Sequence, residues 1–425
     1  MALRDCRDVP VSTSNRASLD RYEAATRLLH GYYGDPLGAI DRALEEDPEF
    51  IMGHCLRAGL MVMSTDKGAE PMLQKSVRAA QGLEHRANDR ERGHIAAAEA
   101  WLNGNFERSI RLYGNILLEY PRDALALQIA HVGDFFLGQS SMLRDRVAQA
   151  LPFWNDTVPG YGYVLGMHAF GLEETALYGQ AEATGRKALE LNARDPWAVH
   201  AVAHVMEMQG RVDEGMNWLL SRSQDWAPDN GLAYHNWWHL ALFHLDRGDE
   251  ERVIELYDTA VRRPDSNVVL EMIDASALLW RLHLRGVDLG ARWGLLADAW
   301  EPRLEEAYYA FNDAHAMMAF VGAGRREAAA SLLKALEKRT AEGGTNGRMT
   351  WEVGLPLCRA LNAFAEGDCA AAVELLLPLR LVASRFGGSH AQRDIINLTL
   401  IEAALRGGRL TLARALASER TALKP

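Results

Sequence analysis

The sequence has little cysteine, no long apolar run and no excess of positive charge, and each shortage removes a class of function. Its four cysteines, Cys6, Cys55, Cys358 and Cys369, are scattered, with no Cys-x-x-Cys pair. That spacing argues against a disulfide framework or a cysteine-ligated zinc and suits a reducing interior. No apolar stretch reaches the roughly 18 residues that span a bilayer. The opening MALRDCRDVPVSTSNRASLDRY lacks the apolar core of a secretory signal. The chain therefore reads as cytoplasmic. Acidic residues outnumber basic ones, 57 to 46, for a net charge of -11. Nucleic acid and anionic membrane both require a dense cationic footprint, so neither is expected as the main partner.

Signatures of familiar chemistry are missing too. There is no Gly-x-Ser-x-Gly elbow, phosphate-binding Walker loop or kinase signature. Gly160, Gly162 and Gly166 have the wrong spacing for a dinucleotide fingerprint, and no strand precedes them. Long alternations of Val, Ile and Thr are absent, which argues against a β fold.

What recurs is an Ala/Leu-rich helical pattern, a glycine turn, a second helix and a proline or aspartate break. The clearest unit is His94 to Asp123, HIAAAEAWLNGNFERSIRLYGNILLEYPRD. Trp101-Leu102 closes one helix, Gly104-Asn105 turns, Tyr113 sits in the second helix and Pro121 ends it, in the order of a tetratricopeptide repeat. Glycine ends a helix cheaply in the left-handed region, and proline is tolerated only where the helix has stopped. The same grammar marks turns at Gly34, Gly179, Gly210, Gly248, Gly324, Gly367 and Gly407-Gly408. At 425 residues, 48% hydrophobic and 24% charged, the chain fits one irregular repeat array. The expected fold is all-α, a tetratricopeptide-type α-α superhelix over 18–425 curled around a central pocket, after a tail at 1–17. Residues 150–166 and 340–350 read as loops.

Fourteen histidines are distributed unevenly. His200 and His204 form one i, i+4 pair and His235 and His239 another, so each pair shares a helix face. Each member lies 35 residues from its counterpart, close to a repeat period, and the pairs are expected to face each other. Glu207 falls on the stripe of the first pair. Three readings compete: histidines satisfied by hydrogen bonds between helices; a divalent metal held by His200, His204, Glu207, His235 and His239; and metal-free acid/base chemistry. Further polar groups are His131 with Asp134, then Asn312, Asp313 and His315. Gln392, Arg393 and Asp394 follow Ser389, a helix N-cap. Trp238 is a candidate pocket wall.

The blocks AHVGDFFLG, LRDRVAQALPFW, FGLEET, VHAVAHVMEMQG, HNWWHLALFHLDRGD, FNDAHAMMA, VGLPLCRALNAFAEGD and GGSHAQRDIINLTLIEAALR resemble, in order, the tetratricopeptide repeat protein 38 family. The resemblance runs from about residue 20 to 410. It implies a single helical solenoid and carries over His200, His204, His235, His239, Asn312, Asp313, His315, Gln392, Arg393 and Asp394. His390 departs from the family pattern, and His168 has no counterpart in it.

The expected function is a small-molecule enzyme of hydrolase or lyase type. His200, His204, His235 and His239 serve as acid/base groups or ligands, and Asp313 or Asp394 orients a histidine. Arg393 anchors a ligand carboxylate, with Gln392, Asn312, His315, Trp238 and His131 around it. The competing expectation is a tetratricopeptide scaffold for protein partners. A homo-oligomer is compatible with either.

Overall fold

The computed structural model describes residues 3–425. The fold is all-α, built from antiparallel helical hairpins of tetratricopeptide type. Among the described residues the only strands are Leu3–Arg4 and Pro10–Val11, a short antiparallel pair inside the expected 1–17 tail. No helix of the described residues is long and apolar enough to cross a membrane.

One hairpin shows how the sequence produces these elements. Asn88 starts Asp89–Leu102 with a capping box, its side chain accepting from the Glu91 amide while Glu91 reaches back to the Asn88 amide. Ala97, Ala98 and Ala100 are buried, which lets the next helix approach closely. Gly104 turns the chain at φ +73°, a conformation that costs a residue with a Cβ about 1–2 kcal/mol. Asn105 caps Phe106–Glu119, and Phe106 stacks on Trp101 with ring centroids 4.1 Å apart. Asp123 then caps Ala124–Phe136. The expected turns at Gly34, Gly210, Gly248, Gly324, Gly367 and Gly408 likewise have positive φ.

Three sequence expectations are corrected. Residues 150–166 are loop only in part, since Leu151–Phe153 is a short helical turn and the helix Tyr161–Glu173 begins within the segment. Gly179 lies inside the helix Tyr178–Leu191, and Ala176 makes that turn at φ 60°. Residues 340–350 are mostly helical: Arg326–Glu342 breaks at Gly343 and Gly344, and Gly344–Met349 follows. Asn346 explains the order. Its side chain accepts from the Ala310 amide and donates to the Ala307 carbonyl, each at 2.8 Å and buried.

The helices form two compact units. The first comprises the described residues up to Val205 together with Arg222–Ala233; the second comprises Met206–Ser221 and Tyr234–Pro425. In the second unit, sequence-distant helices meet. Trp280, in Val269–Leu284, donates from Nε1 to Thr399 Oγ1 at 2.9 Å, and Arg281 donates to the Ala391 carbonyl at 2.6 Å.

Candidate functional site

In the first unit, Asp195 sets up the helix Pro196–Met208 that carries His200 and His204. Its Oδ1 accepts from the amides of Trp197 and Ala198 at 3.0 and 3.1 Å. The two imidazoles lie 4.4 Å apart, close to edge-on, and His200 is flanked by Phe170 and Trp197 at 5.0 and 4.9 Å. His204 Nδ1 is 3.5 Å from Glu173 Oε2, both side chains fully buried. Glu173, Glu174 and His204 each offer a donor atom within 4.8 Å of the others. Two carboxylates and an imidazole are a donor set able to hold a divalent ion. The sequence block FGLEET contains both glutamates, but neither is selected by the histidine spacing.

His131 lies beside Phe170 and Trp197. Its Nε2 accepts from Trp197 Nε1 at 3.3 Å, and burial pushes its pKa down to about 3, so it is neutral. With His30, Tyr32, Gln128, Tyr163, Met167, Asp195 and Trp197 it lines a cavity of about 10 Å³, room for about one water.

In the second unit, the helix Ala233–Asp246 presents His235, Trp238 and His239. His235 Nδ1 donates to Asp274 Oδ2 at 2.6 Å, and His239 Nδ1 donates to Glu207 Oε2 at 2.9 Å. Each carboxylate fixes the proton on Nδ1 and leaves Nε2 as the basic ring nitrogen, the arrangement used by general bases and metal-ligating histidines. Burial holds the His239 pKa below its usual value. Trp238 stacks on His235 at 5.4 Å, and the Arg281 guanidinium lies 5.3 Å from the Trp238 ring centroid.

The remaining expected residues divide. His315 donates from Nδ1 to the Phe311 carbonyl at 2.7 Å, and burial pushes its pKa down to about 4. Asp313 is buried, and burial pushes its carboxyl up to about 8. It therefore stays largely protonated at neutral pH, and no hydrogen bond to a histidine forms. Asn312 is buried on the same helix. Gln392 closes a capping box with Ser389. Arg393 donates to the Gly388 carbonyl and approaches His390 Nδ1 at 3.5 Å, both at its own helix start. Asp394, expected to orient a histidine, instead takes a forked bond from Arg420 at 2.7–3.1 Å. Adjacent helix residues point about 100° apart, and the two side chains consequently serve different neighbours.

Sequence reasoning did not select a cavity of about 220 Å³ in the second unit. Its polar wall is formed by Glu207, Asp246, Arg281, Asp394, Arg420 and Lys424. Lys424 Nζ lies 3.0 Å from Glu207 Oε1 and 3.2 Å from Asp246 Oδ2. Glu207 thus uses one oxygen for His239 and the other for a cation at the cavity. Lys424 is 217 residues from Glu207 in the chain, and no local pattern signals the pair.

No family model matches the chain. Among solved structures, the yeast Tom70 is similar over 95% of this chain and 89% of its own, at 12% identity and a TM-score of 0.41. The structure of Naa15/Naa10 bound to HypK-THB is similar over 94% of this chain and 68% of that one, at 12% identity and a TM-score of 0.25. Both likenesses are too loose to carry an argument. The all-α assignment rests on the helices and turns themselves.

Proposed function

We propose that this protein belongs to the tetratricopeptide repeat protein 38 family and binds a small polar molecule in the second unit's cavity. It acts on that molecule as a hydrolase or lyase through histidine acid/base chemistry relayed by Glu207, which lines the cavity while His239 stands behind it. The observation that supports this reading is Glu207, buried between His239 Nδ1 and the cavity cation. A carboxylate that fixes an imidazole tautomer and also faces a solvent-sized space couples proton position to cavity contents. The test is incubation of purified protein with a mixed metabolite extract, followed by mass spectrometry. Wild type should deplete a small set of compounds that His239→Gln leaves untouched. Identical profiles for wild type, His239→Gln and buffer would sink the catalytic reading.

Two other readings each have an observation in their favour. The donor spacing of Glu173, Glu174 and His204 favours a bound divalent ion. Elemental analysis of purified protein should then find about one equivalent, lost in His204→Ala, and a trace amount in wild type removes this reading. The hairpin arrays favour a scaffold for protein partners. A stoichiometric partner in a pull-down, released by reversing surface charges and indifferent to His239→Gln, would support that alternative.

A further inference from the structure

The cavity wall contains two charge features that an ordinary structural network leaves unexplained. The first is Arg281. It is only 6% exposed, lines the cavity, and bonds through its terminal nitrogens to the carbonyls of Ala277 and Ala391. No carboxylate pairs with it among the described residues. A buried guanidinium with no carboxylate in contact is costly, and carbonyl dipoles together with the more distant charges of Asp394, Glu207 and Asp246 offset only part of that cost. Burial accordingly holds its pKa below the usual value, the largest of the influences acting on it.

The second feature is Lys424. It follows the helix Leu410–Leu423 in an extended conformation, next to Leu423, which is 64% exposed. Yet its side chain is 11% exposed, and its ammonium lies between Glu207 and Asp246. Pro425 lies against Gly210, where an added Cβ would come within 3.2 Å of the proline carbonyl oxygen. A surface segment thus places one ammonium in a preformed site of two carboxylates. Those carboxylates favour the charged amine strongly enough to raise its pKa despite burial.

We propose that the cavity is a binding site for a zwitterion carrying a primary ammonium and a carboxylate, an amino acid in the broad sense. Glu207 and Asp246 take the ammonium, Arg281 takes the carboxylate, and Lys424 occupies the ammonium position until ligand displaces it. The proposal rests on the reading that this cavity is the ligand site, and it adds the ligand class and the gate. The charges follow simple complementarity: two carboxylates match one cation, and the guanidinium, whose terminal nitrogens each keep one N–H beyond the bonds to Ala277 and Ala391, suits a carboxylate. The forked Arg420–Asp394 pair, already mutually satisfied, forms neutral wall.

The experiment uses the full chain and Lys424→Met, which keeps the methylenes and drops the ammonium. Isothermal titration is run with n-pentylamine, pentanoate, lysine and a series of ω-amino acids from three to six carbons. Lys424→Met should bind pentylamine at least tenfold more tightly than wild type. One member of the amino-acid series should bind at least tenfold more tightly again. Arg281→Gln in the same background should reduce that best zwitterion to the affinity of pentylamine, and Glu207→Gln should abolish amine binding. A folded Lys424→Met that binds amines no better than wild type overturns the ammonium site. A zwitterion series no tighter than pentylamine overturns the role of Arg281. If Lys424→Met is unstable, Lys424→Gln is used, and recovery of its melting temperature by pentylamine but not by pentanol supports the site; no recovery overturns it. Because titration requires no turnover, amine binding that persists without metabolite depletion would retain the zwitterion site while removing the catalytic reading.

Discussion

Asp195 offers the sharpest test of how this fold treats a buried carboxyl. Its Oδ1 caps the helix bearing His200 and His204 through two amide bonds. Its Oδ2 is buried without a hydrogen-bond partner and lies so close to Gly166 that a Cβ there would be 2.8 Å away. Burial outweighs the two amide bonds and moves the carboxyl from 3.8 up to about 7. A folded-state acid with a raised pKa prefers its proton. Its contribution is therefore complete below pH 3.8 and is lost as pH climbs to about 7, at about 1.4 kcal/mol for each pH unit. Over that window the loss is about 4 kcal/mol. Asparagine keeps the capping oxygen and the shape but cannot ionise. Asp195→Asn should therefore match wild type near pH 4 and become more stable by about 1.4 kcal/mol per pH unit, levelling off near pH 8. Urea unfolding followed by circular dichroism at half-unit pH steps measures this, because other titrating groups cancel in the difference. Parallel wild-type and variant curves, or a wild type that gains with rising pH, would refute the argument.

Asp313 should repeat this pattern with its plateau displaced upward, because its carboxyl titrates near 8; Asp313→Asn in the same urea series reads it. Asp123 tests a satisfied network: it accepts from Arg90 and His94 at 3.1 and 2.8 Å and caps Ala126, all buried. Asp123→Ala should cost about 3–5 kcal/mol for the orphaned guanidinium and about 1 kcal/mol for the cap, while Asp123→Asn, which retains the cap, should cost less. Two glycines separate backbone from packing effects in thermal melts. Gly104→Ala meets no atom within 4 Å and should lose only the left-handed penalty, about 1–2 kcal/mol. Gly215→Ala would place its Cβ 2.1 Å from Phe243 Cζ and should lose about 1–3 kcal/mol through overpacking.

The hairpins were legible because their signals are local. Gly104 at a turn and Pro121 after a helix each act within a few residues, and the sequence states them directly. Gly179 misled because a glycine near a turn is not always the residue that takes positive φ; Ala176 does so three residues earlier. The segment 340–350 misled because its glycines concealed Asn346, whose order comes from bonds to Ala307 and Ala310, more than thirty residues away. For the candidate site the division is the same. An i, i+4 histidine pair can be read from spacing, but the carboxylates beside the imidazoles are Asp274, Glu173 and Glu207, supplied by packing. Arg281 and Lys424 have no neighbouring motif at all.

Glu207 shows why the second unit's network is better explained by function than by stability. It is the penultimate residue of the helix Pro196–Met208, where the helix dipole disfavours negative charge by about 0.3–1 kcal/mol. It is also buried, which adds a larger desolvation cost. A chain selected for stability alone would place an amide or an apolar residue there, as buried ion pairs are often matched or exceeded by well-packed neutral groups. Instead the fold spends a histidine and a lysine on holding this carboxylate, one on each oxygen. A carboxylate kept against the helix dipole and against burial, with its compensation drawn from His239 and Lys424 in distant sequence, is the pattern expected where a protein gives up stability to keep a site.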